Sequence, residues 1–138
     1  MIRRKHTGTS RSGTVTVEFA LTMPVALMLT FGLVEFARVN MIRNTAQNAA
    51  YEGARAAIIP GGTAARAEAR ANLVMSTIST RNVDVTIDPP TITDTTPKVT
   101  VTISVPLGEN MWITPRYFVN QAMVRTCELT RESTNSGF

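Results

Sequence analysis

The sequence predicts an α+β protein: a long N-terminal helix, part transmembrane and part amphipathic, then a short second helix and a small antiparallel sheet of about three strands. Three observations carry this expectation. An uncharged apolar run from Phe19 to Val34 passes into helical periodicity that continues to Ile58. A stretch rich in Ala, Arg and Glu follows a Pro-Gly-Gly break, and after it two segments alternate apolar and polar residues with the period of a strand. With 138 residues the chain has room for one domain, and if a third of it lies in a membrane the remainder buries only a small core.

The chain begins with a basic stretch. It carries 14 basic and 10 acidic side chains, and four of the basic ones, Arg3, Arg4, Lys5 and Arg11, precede residue 14, where no acid occurs. The rest is balanced, so the high pI belongs to the first residues and a nucleic-acid-binding reading loses its main support. The only histidine, His6, lies in the same stretch. That leaves the rest of the chain without a His-based metal site or Ser-His catalysis. The one cysteine, Cys127, rules out an internal disulfide framework and is expected as a small buried hydrophobe.

The apolar run comes next. As a helix, Thr14 to Val34 spans roughly 31 Å, which matches a hydrocarbon core of about 30 Å. Pro24 is tolerated in a membrane helix where a neighbouring helix or a Thr hydroxyl, such as that of Thr22, satisfies the freed carbonyl. Basic residues before the run and the acidic Glu35 after it put the N-terminus in the cytoplasm and the C-terminal body outside. An ordinary secretory signal would be cleaved beyond the apolar run, but EFARVNMIRN there offers no small-x-small pair followed by a break in helical pattern. Glu18 stands out, because a charge at mid-bilayer costs about 2.5–3.5 kcal/mol on insertion scales and calls for a partner. A place at the membrane edge, where the carboxylate reaches water, would also explain it.

Before the run stands RSG, followed by TVTVEF, so Gly13 precedes Glu18 by five residues and Phe19 follows at once. This arrangement resembles type IV prepilins, in which a basic leader ends in glycine, a peptidase cuts there on the cytoplasmic side, and an acid occupies the fifth mature position. The resemblance implies a cleaved leader at residues 1–13, processing between Gly13 and Thr14, and an assembly role for Glu18 and Phe19. The new amine of Thr14 would lie about 6 Å from Glu18 along the helix axis, and the amine of a neighbouring subunit is an equal alternative.

Helical pattern persists past Val34. Val39, Ile42, Ala46, Ala49, Ala50, Gly53 and Ala57 recur at spacings of three and four, with Asn40, Arg43, Asn44, Gln47, Asn48, Glu52 and Arg55 on the other faces. One continuous helix is expected from Thr14 to Ile58, ended by Pro60, Gly61 and Gly62. Its outer half is lined by alanine and glycine, which permits close approach of another backbone. NAAYEGAR, containing the motif Glu52, Gly53, Ala54 and Arg55, together with VEFAL at Val17 to Leu21, resembles the TadE-like family, pseudopilins of the tight-adherence system that builds Flp pili. The resemblance runs from about Ser12 to Ile58 and more loosely to the C-terminus.

Thr63 to Ser79 reads as the second helix, with Thr63 as N-cap and a thin apolar side of Ala65, Ala69 and Leu73. Strands follow near 83–88, where Val83, Val85 and Ile87 alternate with acids and Thr, and near 98–105, where Val99, Val101, Ile103 and Val105 alternate with Thr and Ser. PPTITDTTP between them is a loop, and Pro106 to Pro115 is another. Trp112 in that second loop is expected to be buried, because a small core needs its aromatics. The segment 117–130 reads as a third strand, though its pattern also fits a helix. Arg125 and Glu128 within it are expected on a solvated strand face; in TadE-like proteins a similar stretch pairs into the sheet. Residues 131–138 are polar and expected to be flexible.

Chemistry-bearing patterns are absent: no phosphate loop, no metal-ligand cluster and no nucleophile placed by a base. Asp84, Asp88 and Asp94 lack the spacing of a calcium loop. The sequence therefore points away from an enzyme and calls for no cofactor. The resemblance implies a minor pilin or pseudopilin in the bacterial inner membrane with an extracytoplasmic domain over 35–130. Its implied partners are a prepilin peptidase, other pilin or pseudopilin subunits, the inner-membrane pilus assembly machinery and the lipid bilayer. The alternative is an uncleaved, membrane-anchored extracytoplasmic binding module.

Overall fold

The structure is a computed structural model that describes residues 12–93, 95–112 and 119–131. The leader before Ser12, Asp94, the first two residues of the expected third strand (117–118) and the tail beyond Arg131 lie outside the described residues. The elements in chain order are α1 (Ser12–Ile58), α2 (Ala64–Ser76), β1 (Asp84–Asp88), β2 (Lys98–Pro106), α3 (Leu107–Asn110) and β3 (Ala122–Thr130). The fold is the expected α+β arrangement of a long apolar helix, a short second helix and a three-stranded antiparallel sheet. Of the segment 117–130 left open between strand and helix, Ala122–Thr130 is a strand and residues 119–121 are not. The single turn α3 stands inside the stretch expected as a loop.

The chain divides into two compact units, Met1–Val34 and Glu35–Phe138. In the first, every residue from Gly13 to Val34 is exposed, including Phe19, Leu21, Met28 and Phe31. A soluble protein would bury such side chains, so this helix meets both the length and the surface requirements of a bilayer span. Its threonines are satisfied within the helix. Thr30 Oγ1 donates to the Ala26 carbonyl at 2.8 Å. Thr22 Oγ1 lies 3.0 Å from the Glu18 carbonyl and 3.3 Å from that of Phe19. Thr22 therefore serves the carbonyls of Glu18 and Phe19, not the Ala20 carbonyl that Pro24 leaves without its N–H donor.

The second unit is built around the alanine face of α1. Ile42, Ala46, Ala49, Ala50, Ala54 and Ala57 are fully buried in one cluster with Ala67, Ala71 and Met75 of α2 and Val99, Val101, Ile103 and Val105 of β2. The periodicity of α1 was legible in the sequence, apart from Ala54. The buried face of α2 differs from the expected one: it consists of Ala67, Ala71 and Met75, whereas Ala65 and Ala69 are exposed and Leu73 is 58% exposed. The reason lies in α1. A Cβ placed on Gly53 would be 3.2 Å from the Ala67 carbonyl oxygen, 3.3 Å from Ala71 Cβ and 3.4 Å from Val101 Cγ1. The bare backbone of Gly53 thus admits the two small residues of α2 and a methyl group of β2 at one point.

The connection from α1 to α2 rests on two glycines. Gly61 takes the left-handed φ of +72°. Gly62 packs so close that a Cβ would lie 2.3 Å from the Ala57 carbonyl oxygen. Thr63 then caps α2 as expected, its side chain accepting from Arg66 N at 3.2 Å.

β2 is the central strand, with order β1-β2-β3 and both pairs antiparallel. Its odd-numbered residues face the helices and its even-numbered Thr and Ser face away, as the alternation requires. Arg125 and Glu128 do not share a solvated face. They are three positions apart, so a strand sends them to opposite sides. Arg125 pairs opposite Ile103 on the core side and is half-buried, whereas Glu128 is on the outer side, 2.7 Å from Lys98 Nζ. Cys127 sits on the core side opposite Val101, partly buried, and that burial pushes its thiol above the ordinary value. Arg131, at the start of the expected tail, is anchored: its backbone N donates to Pro97 O, Nη1 to Thr93 O and Nη2 to Ile59 O.

Candidate functional site

The residues singled out for processing and assembly fall in the first unit. Gly13 and Thr14 lie in the first turn of α1, which starts at Ser12 and not at Thr14. A Cβ on Gly13 would meet nothing within 4 Å. Glu18 and Phe19 are both exposed on the same helix. Thus the glycine, the acid and the aromatic residue stand on one apolar helix whose described residues are exposed from Gly13 to Val34.

The helix motif Glu52, Gly53, Ala54 and Arg55 lies in the second unit, and its four residues have separate surroundings. Glu52 Oε2 accepts from Arg70 Nη2 at 3.2 Å and Nε at 3.4 Å, tying α1 to α2 at the surface. Gly53 is the junction of α1, α2 and β2. Ala54 is fully buried, and Arg55 is exposed in the last turn, where a cation complements the helix dipole. The motif is thus a packing device: a glycine for close approach, flanked by a residue that pairs with the next helix.

A third cluster, not singled out by the sequence, forms at the start of the second unit. Glu35 is buried, and its carboxylate accepts from the backbone N of Trp112 at 3.1 Å. Trp112 itself is 69% exposed, contrary to the expectation of burial. The alanine and valine core leaves it no slot, and its ring lies beside the guanidinium of Arg38, 5.2 Å from centroid to Cζ. Arg38 Nε donates to the Asn110 carbonyl at 3.1 Å. Asn110 is buried, and its side chain takes a donor and an acceptor at once: Oδ1 accepts from Arg81 N at 2.8 Å, while Nδ2 donates to Arg81 O at 3.0 Å and Pro106 O at 2.8 Å. One asparagine therefore joins α3, the end of β2 and the turn before β1. Glu35 offered a sequence signal, as the first charge after the apolar run. Asn110 offered none, because its partners are distant backbone groups.

Among the described residues no group of three or more His, Cys, Asp or Glu is placed to hold a metal ion. Asp84 and Asp88 are exposed at the two ends of β1.

Taken together, the chain has one uncovered apolar helix, long and apolar enough to cross a membrane and so compatible with anchoring, and a small α+β unit after it. Residues 13–55, just under a third of the chain, match the family model described as TadE-like protein. The match begins at Gly13, takes in Glu18 and Phe19, and ends at Arg55. It points to a protein associated with Tad pili, a structural and not an enzymatic family, with other pilus components as its partners. No curated protein and no solved structure matches the chain.

Proposed function

We propose that the protein is a minor pilin or pseudopilin of a tight-adherence pilus. In this reading it is inserted in the inner membrane with its N-terminus in the cytoplasm, cut by prepilin peptidase between Gly13 and Thr14, and assembled through α1. The observation that carries the reading is the coincidence of Gly13, Glu18 and Phe19 on an uncovered apolar helix with a TadE-like match that begins at Gly13.

The mechanism is association. Exposed apolar side chains of the first unit pack laterally against other subunits. The carboxylate of Glu18, costly in hydrocarbon, pairs with an α-amine released by the cut, in its own chain or in its neighbour. The second unit, outside the membrane, presents its sheet to partners. Gly13→Val tests the whole scheme in cells that carry the pilus machinery. An unprocessed precursor and loss of assembly are expected. Normal assembly with no change in chain mass would favour an uncleaved, membrane-anchored binding module instead.

A further inference from the structure

We propose that the edge of the second unit made by Arg38, Arg81 and Trp112 docks onto the phospholipid headgroup layer at the membrane surface. The inference rests on the reading that the apolar helix spans the bilayer, and it adds a second contact with that membrane.

Position along the chain supplies the first argument. Arg38 follows Val34, the last residue of the uncharged run, by four residues, or about 6 Å of helix. The polar layer on each side of a bilayer is about 5–8 Å thick, the difference between its total and hydrocarbon dimensions. A spanning helix that leaves the hydrocarbon at Val34 therefore carries Arg38 into the headgroups.

Chemistry supplies the second. Trp112 and Arg38 are the residue types that sit at a water–hydrocarbon boundary, the ring amphipathic and the guanidinium suited to bidentate contact with phosphate. Among the described residues the Nη2 group of Arg38 has no hydrogen-bond partner, since Nε goes to Asn110 O and Nη1 reaches Ile78 O only at 3.5 Å. Arg81 is exposed, and among the described residues its side chain pairs with no carboxylate. Both arginines line one open hollow of about 800 Å³ with Met41 and Trp112. Glu109 also lines it, and its carboxylate is engaged by Asn82 Nδ2.

Rigidity supplies the third. The Trp112 backbone is held by the buried Glu35 carboxylate, and the Arg81 backbone is held on both sides by the Asn110 amide. An exposed tryptophan whose main chain is fixed to the first turn after the apolar run is placed before it meets a partner, which lowers the ordering cost of docking.

Trp112 is the only tryptophan in the chain, so its fluorescence reports this edge without labelling. The test uses the full chain reconstituted in vesicles containing phosphatidylglycerol, with a nitroxide placed either on the headgroup or deep in the acyl chain, and with iodide in the water. The expected result is stronger quenching by the headgroup nitroxide than by the deep one, and a several-fold fall in iodide quenching relative to the unfolded chain. Arg38→Ala combined with Arg81→Ala should restore iodide access while Cys127 stays protected from alkylation, which shows that the fold persists. If iodide quenches Trp112 as in the unfolded chain while the protein resists alkaline extraction, the docking inference fails and the spanning reading stands. Release by alkaline extraction overturns both. Shielding from iodide without headgroup quenching would mean that protein covers this edge, and it would also overturn the inference.

Discussion

Asn110 and Gly53 hold the second unit together in different ways, and the difference sets what substitution should cost. Asn110→Ala removes three part-buried hydrogen bonds, from the Arg81 N–H and to the Arg81 and Pro106 carbonyls. A loss of at least about 1–3 kcal/mol is expected in denaturant unfolding of the detergent-solubilised chain. Gly53→Val inserts three carbons where even one would touch backbone of α2, and overpacking of this kind costs about 1–3 kcal/mol. Its neighbour in the motif behaves otherwise: Glu52→Gln breaks a pair whose arginine is half-exposed, so about 0.2–1 kcal/mol at most is expected from the same measurement. Cys127 carries a pH signature. Its folded thiol holds a proton to higher pH than the unfolded one, so it is less nucleophilic near neutrality, and the stability it contributes is lost as pH rises above the unfolded value. Alkylation by iodoacetamide at mildly alkaline pH should be several-fold slower in the native chain than in urea; equal rates would contradict the burial.

At the scale of elements, α2 shows where sequence patterning stops being informative. Alanines at 64, 65, 67, 69 and 71 make two opposite faces of this helix almost equally apolar. The sequence favoured the face with Leu73, and the structure buries the one with Met75. The choice is made by contact with Gly53 and β2, which no local pattern contains. Met75→Ala should therefore cost about 2–5 kcal/mol, while Leu73→Ala should stay within about 0.5 kcal/mol. A larger cost for Leu73→Ala than for Met75→Ala would put the helix in the other orientation. By contrast, α1 and β2 were legible because each has one apolar face and one polar face, and a period of 3.6 or 2 then fixes which side is buried. Arg125 and Glu128 were not placed correctly, because the expectation of one solvated face ignored that an odd separation on a strand puts them on opposite sides.

At the scale of the whole molecule, the sequence disclosed its apolar helix and its fold class more fully than its surface. The run of large apolar residues with no charge is long and apolar enough to cross a membrane, and the match over residues 13–55 falls on that run and the helix that follows. The cluster around Glu35, Arg38, Asn110 and Trp112 was invisible because it joins residues more than 70 positions apart through backbone atoms. It explains why the single tryptophan is exposed in a unit whose core is built of alanine and valine. The central claim concerns the other end of α1, where a cut after Gly13 would remove the basic residues and leave an amine close to Glu18. Intact mass measurement of the chain purified from membranes of cells with an active prepilin peptidase tests it most directly. The account predicts a mature chain that begins at Thr14 and still contains the whole apolar run. A chain that retains Met1, or one cut beyond Val34, would contradict it.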